Sequence, residues 1–286
     1  MDKTIEIRND FLTVEISALG AEIVRIKDKD GNDRQWNGDP SVWSGRAPIM
    51  FPICGGLKND TLKFGEKEYQ LKKHGFAKLM SFECEKAEKD SAVFLLRSND
   101  ETKKHYPFDF EMRAAFRLCD NSIEITYSVK NPSDSEIFFS FGGHEAYACP
   151  DGIENYSVIF EKEEPLNATV LDGNFLTYEK NHISDNGRID LNEEYFANDA
   201  LVFEHLQSKS VRLVNRVDGR EIRVDFRGFE YFLIWKALGG KYVCLEPWSG
   251  CPDRIDFNGS FDEKEGITRL AGGETFSMTH TATIVK

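Results

Sequence analysis

Basic residues are in short supply in this chain: 36 Lys and Arg face 49 Asp and Glu among 286 residues, a formal net charge of −13. A general nucleic-acid binder needs a cationic surface to displace phosphate counterions, so this balance excludes that class. Long apolar runs are missing too. The longest span five residues, at 92–96 and 231–235, against the ~20 that a helix needs to cross a bilayer, and no membrane partner is expected. The opening Met1-Asp2-Lys3-Thr4-Ile5-Glu6 lacks the basic start, apolar stretch and small-residue cleavage site of a secretory leader, so the expected compartment is the cytoplasm. Six cysteines (Cys54, Cys84, Cys119, Cys149, Cys244, Cys251) stand at wide, irregular spacings without a CxxC pair. That argues against a zinc knuckle and against a disulfide scaffold. Also absent are a GxGxxG or Walker loop, a GxSxG elbow, and any His/Cys/Asp cluster with metal-ligand spacing along the chain. Neither a nucleotide cofactor nor a metal is expected.

What is present is apolar bulk in short pieces. Hydrophobic residues make up 40% and aromatics 12%, including 22 Phe, enough for a large core. Two-residue alternation recurs throughout. In 122–130, Ile123, Ile125, Tyr127 and Val129 alternate with Glu124, Thr126, Ser128 and Lys130, the pattern of a half-buried antiparallel strand. The same period appears at 11–16, 21–26, 108–116 and 221–227. Turn signals separate these runs, and Val217-Asp218-Gly219-Arg220 between two alternating stretches predicts a hairpin. Helical periodicity is scarce, with room for only a turn or two near 41–45, 101–106 and 192–198. The expectation is an all-β fold, residues 1–286 forming one large antiparallel β-sandwich domain of two packed sheets.

Three segments break the alternation with polar groups in apolar surroundings, where function is most often found. In Gly45-Arg46-Ala47-Pro48-Ile49-Met50-Phe51-Pro52 the prolines remove donors and fix the backbone, predicting an ordered segment outside the ladders. Its Arg46 is either a hydroxyl or anion ligand or an edge-loop arginine paired with a carboxylate. In Ile137-Phe138-Phe139-Ser140-Phe141-Gly142-Gly143-His144 an apolar run ends in two glycines and a histidine, which lets the backbone approach a ligand closely. Imidazole is a natural proton donor near neutral pH; the plainer reading is a histidine bonded to a carbonyl. Gly143-His144-Glu145 does not extend to HExxH, because Ala148 stands where the second His belongs. In Cys244-Leu245-Glu246-Pro247-Trp248 a carboxylate ends an apolar strand beside an indole, a setting for a base with a tuned pKa and for a sugar face. Trp235 is a second candidate stacking ring or a core residue. Asp199, before the apolar run 200–203, can accept bonds from two hydroxyls, or is ordinary turn chemistry.

Taken in order, Arg46-Ala47-Pro48-Ile49-Met50-Phe51-Pro52, Lys73-His74-Gly75-Phe76-Ala77, Gly143-His144-Glu145-Ala146-Tyr147, Asn198-Asp199-Ala200-Leu201 and Leu245-Glu246-Pro247-Trp248 resemble the aldose 1-epimerase, or galactose mutarotase-like, family. The similarity is greatest to its short bacterial branch associated with lactose-type operons. The resemblance implies a large antiparallel supersandwich that holds a monosaccharide and interconverts its α and β anomers without a cofactor. By motif, Glu246 matches the general base and His144 the general acid. His74 matches the second active-site histidine, either holding the ring oxygen or aligning His144. Arg46 and Asp199 match sugar-hydroxyl ligands, and Trp235 and Trp248 are the expected stacking rings. The expected assembly is a monomer or a homodimer. Two alternatives stay open within this fold: a hexose-6-phosphate 1-epimerase, which calls for several clustered Arg or Lys where the sequence offers Arg46, Lys73 and Lys78 and no further cluster, and a non-catalytic carbohydrate-binding protein. A two-carboxylate glycosidase is a third.

Overall fold

The computed structural model describes residues 3–285. Nearly every regular element in it is an antiparallel strand; among the described residues the one α-helix is the single turn Asp100–Lys103. The segment 192–198 contributes only the 3₁₀ turn Glu193–Phe196, and 41–45 forms no helix. No helix among the described residues is long and apolar enough to cross a membrane.

Two large sheets carry the architecture. The first has nine strands in the order Arg188–Asp190, Tyr156–Phe160, Ser210–Asn215, Glu221–Asp225, Thr275–Ile284, Ser122–Lys130, Glu111–Cys119, Ser91–Arg97 and Glu83–Ala87. The second has six, in the order Glu145–Ala148, Tyr242–Trp248, Tyr231–Trp235, Leu201–Glu204, Leu166–Asp172 and Phe175–Ser184. Strand Ser122–Lys130 has the bounds its alternation predicts, and 217–220 links Ser210–Asn215 to Glu221–Asp225 as the expected hairpin. A three-stranded sheet, Thr4–Arg8, Leu12–Ser17 and Ile23–Asp28, packs its apolar side into the same core.

The facing sides of the two large sheets are apolar. Ile123, Ile125, Val129, Met112, Ala114 and Phe116 from one meet Phe203, Phe232, Ile234, Val243 and Leu245 from the other in a single cluster of buried side chains. Burying a side chain of this size contributes about 1.5–3 kcal/mol, offset by the chain entropy it costs. Inside this core lies one polar group of three: Glu145 Oε1 accepts from Tyr127 Oη at 3.3 Å and from His280 Nε2 at 3.1 Å.

Side chains alternate across a strand, so the six-stranded sheet presents Leu233, Trp235, Val202, Cys244, Glu246 and Trp248 on its other side. That side is covered by loops rather than solvent. Hence Tyr231–Trp235 and Tyr242–Trp248 are buried on both faces and read in the sequence as apolar runs.

Candidate active site

The loop-covered face of the six-stranded sheet is hollowed into a cavity of about 970 Å³. Its floor is set by register: Val202 pairs with Leu233 and Leu233 with Glu246, three neighbours in a row across the sheet, all lining the cavity. Loops carrying Trp43, Lys73, His74, Lys78, Asn174 and Asp199 form the walls.

Glu246 is buried, and its Oε2 accepts the indole N–H of Trp248, two residues on and on the same face, at 3.1 Å. Burial raises its pKa well above the ordinary carboxylate value, reinforced by the charges of Glu145 and Asp199 and opposed by the indole bond. His144 reaches it through the double glycine. The Gly143 N–H donates to Pro247 O at 3.1 Å, and a Cβ on Gly142 would stand 2.8 Å from that same oxygen. A larger residue there would push the chain off the Glu246 strand. With glycine in place, His144 Nδ1 stands 3.4 Å from Glu246 Oε1, in ion-pair range but without the alignment of a hydrogen bond. Burial pushes the His144 imidazole down to about 3. Both shifts favour the uncharged forms, a carboxyl on Glu246 beside a neutral imidazole.

His74 sits in the left-handed region, φ 68°, followed by Gly75 at 65°. Its Nδ1 accepts the N–H of Gly55 at 3.2 Å, and burial, with the charges of His144, Lys73 and Lys78, holds its pKa well below the usual histidine value. The neutral ring therefore carries its hydrogen on Nε2 and is a fixed donor. Aromatic rings surround both histidines. His144 stacks on Trp43 with centroids 5.1 Å apart and meets Trp235 edge-on at 5.4 Å; His74 meets Trp248 edge-on at 5.4 Å.

Asp199 also lines the cavity, with φ 114°. Its Oδ1 accepts the N–H of Ala200 at 2.9 Å, and its Oδ2 lies 3.4 Å from Lys73 Nζ. Lys78 is half-buried; its Nζ reaches the carbonyl of Lys73 at 3.5 Å, and burial and the Lys73 charge lower its pKa.

Six of the seven residues singled out by the sequence thus share one cavity: His74, His144, Asp199, Trp235, Glu246 and Trp248. Arg46 does not. Its Nε donates to Asn37 O at 2.9 Å, and its guanidinium lies against Gly38, where a Cβ would stand 2.7 Å from Cζ. Glu22 lines the cavity near that point instead, its Oε1 accepting the N–H groups of Arg46 and Ala47 at 2.7 and 2.9 Å.

Sequence reasoning missed Trp43, whose one signal was an indole in a turn-rich stretch after Asn37-Gly38-Asp39-Pro40. It also missed Cys244. Spacing along the chain gave no metal-like cluster, yet the sheet brings donor atoms of His144, Cys244 and Glu246 within 4.8 Å of one another, all three residues buried.

A family profile for aldose 1-epimerases matches residues 3–279. The plasmid-encoded protein LacX of Lactococcus lactis subsp. lactis is 31% identical, covering 99% of each chain. Among solved structures, a galactose mutarotase related enzyme from Lactobacillus acidophilus superposes with a TM-score of 0.96 at 32% identity, covering 99% of this chain and 98% of that one. A galactose mutarotase-like protein from Lactobacillus casei does so at 0.93, with 24% identity and coverage of 99% and 100%.

Proposed function

The chain belongs to the aldose 1-epimerase family, and on that premise we propose that it is an isomerase that interconverts the α and β anomers of a hexose. The observation that carries this reading is the pairing of His144 Nδ1 and Glu246 Oε1 at 3.4 Å on the floor of a cavity walled by indole rings. Anomerisation removes the proton from the C1 hydroxyl and delivers one to the ring oxygen. The ring opens, C1 turns about its bond to C2, and closure gives the other anomer. One base and one acid at the C1–O5 edge suffice, each contributing roughly 10²- to 10⁴-fold.

In this reading Glu246 takes the O1 proton and His144 protonates O5, and both return to their starting states on closure. A carboxyl with neutral imidazole and a carboxylate with imidazolium hold the same number of protons. Burial by the protein alone favours the first. Sugar hydroxyls donating to the carboxylate, together with the Trp248 N–H, favour the second. His74, its Nδ1 already engaged, donates from Nε2 to a sugar oxygen rather than acting as the acid. Asp199 accepts from hydroxyls, and Trp43, Trp235 and Trp248 offer flat faces to the sugar's CH groups. Arg46, turned toward Asn37, is given no part.

A phosphorylated hexose is a second reading, supported by the two ammonium groups on one wall. Among the described residues Lys78 Nζ donates to a carbonyl and pairs with no carboxylate, and phosphate would supply a partner charge. Magnetisation-exchange NMR on anomeric protons of free and 6-phosphorylated hexoses tests both readings. Catalysed exchange of a free hexose supports the first. Exchange confined to the phosphorylated sugars supports the second. Tight sugar binding without exchange makes the protein a binding module.

A further inference from the structure

Strand register brings together three donors that the proposed reaction does not use as a set. Glu145 pairs with Leu245, so one step back along the antiparallel ladder His144 stands across from Glu246. Cys244 precedes Glu246 by two residues and points to the same face, opposite Ala146, in a cluster with Trp36 and Tyr242. His144 Nδ1 is buried without a hydrogen-bond partner. Two ligands on a tetrahedral metal, with bonds of about 2.0–2.1 Å, stand roughly 3.3 Å apart; His144 Nδ1 and Glu246 Oε1 already stand at 3.4 Å. The thiol lies within 4.8 Å of both and needs to close by about 1 Å to complete the triangle.

We propose that His144, Cys244 and Glu246 form a binding site for a thiophilic divalent cation of the Zn²⁺ or Cd²⁺ type, with the fourth coordination position open to the sugar cavity. Thiolate, imidazole and carboxylate suit such an ion. Mg²⁺ and Ca²⁺, which take six or more oxygens, find no such shell here. On binding, the ion takes the place of the Cys244 thiol proton and of the Glu246 carboxyl proton, both of which leave to solvent. The ion reaches the site from the cavity that His144 and Glu246 line. Once seated it occupies the lone pair of His144 and the carboxylate of Glu246, so it blocks proton transfer. The blocking rests on the anomerisation reading; the binding does not.

The test is a titration of the full chain with CdCl₂, following the ultraviolet thiolate-to-metal charge-transfer band. One equivalent should bring up the band, and Cys244→Ala should abolish it even though five other cysteines remain. Should Cys244→Ala fail to fold, His144→Asn and Glu246→Gln serve instead: each should weaken Cd²⁺ binding by at least ~10-fold while the band survives at saturation. In the wild type, Cd²⁺ should stop anomer exchange and a chelator should restore it. A band that persists in Cys244→Ala, or Cd²⁺ affinity unmoved by both other substitutions, overturns the site. A one-equivalent band with undisturbed exchange overturns the blocking alone.

Discussion

Asp199 adopts φ 114°, a region that costs a side-chain-bearing residue about 1–3 kcal/mol. Its ion pair with Lys73 is partly exposed, at 27% and 39%, and stabilises little. The strain is therefore held for something other than stability, and hydroxyl recognition is the use the cavity offers. Asp199→Gly should raise the urea midpoint, with a gain in stability of about 1 kcal/mol after glycine's entropic penalty of about 0.5–1 kcal/mol. The same change should weaken sugar binding by roughly tenfold or more through loss of a charged acceptor. Equal or lower stability with intact affinity in calorimetry would remove Asp199 from the site. Lys78→Met should lower the ratio of phosphorylated to free hexose exchange by about tenfold; an unmoved ratio would leave Lys78 a structural lysine. At this scale the sequence disclosed groups whose neighbours mark them: Glu246 before Pro247-Trp248, His144 after two glycines. It could not disclose Trp43, whose ring partners His144 and Trp235 arrive from distant parts of the chain. It also could not show Arg46 turning to Asn37, because that choice is made by a loop carbonyl rather than by the arginine's own segment.

The turn that carries His74 is a second kind of device, built from backbone. Gly75 has φ 65°, and a Cβ there would stand 2.2 Å from Phe51 O, the same oxygen that accepts the N–H groups of Phe76 and Ala77. Gly75→Ala should therefore cost more than the ~1–2 kcal/mol of a left-handed alanine, because Phe51 must also give way, and it should displace His74. Gly65, at φ 60° with nothing within 4 Å of where a Cβ would stand, is the control. Gly65→Ala should lose only the conformational part, read as the difference in urea midpoints, and keep anomer exchange. Equal losses at the two glycines would show that contact with Phe51 does not hold the turn. Strands with one wet face, such as Ser122–Lys130, announce themselves by alternation. Tyr231–Trp235 and Tyr242–Trp248 do not, because loops cover the face that would otherwise be wet. Apart from Glu246, their inward and cavity-facing residues are alike apolar, so pairing register is what tells floor from core.

Across the whole molecule, the two faces of the six-stranded sheet differ: one packs in the core, the other lines the cavity. Glu204, at the end of the strand Leu201–Glu204, ties that sheet to the chain that follows Trp248. Its carboxylate accepts from Arg254 Nη2 at 2.6 Å and from the Thr169 hydroxyl, with Lys180 Nζ at 3.3 Å. Burial raises its pKa, but the Thr169 bond and the Arg254 and Lys180 charges outweigh it, and the net shift is downward from 4.5. A depressed folded-state pKa contributes stability that is present above the unfolded value and is lost as pH falls through the folded one. Arg254→Met should thus cost about 3 kcal/mol at neutral pH. The gap from wild type should shrink once pH drops below the range where Glu204 is ionised; a gap constant from neutral to strongly acidic pH would assign the loss to packing. Glu246 has the opposite sign. Its raised pKa makes the buried carboxylate unfavourable at neutral pH, so Glu246→Gln should be at least as stable as wild type. That stability makes one comparison decisive for the reaction: magnetisation-exchange rates of an anomerising hexose with wild-type protein, Glu246→Gln and His144→Asn, each beside its thermal unfolding curve. Both folded variants should lose at least ~10²-fold of the catalysed exchange, and a folded Glu246→Gln protein that exchanges anomers at the wild-type rate would contradict acid–base ring opening at this pair.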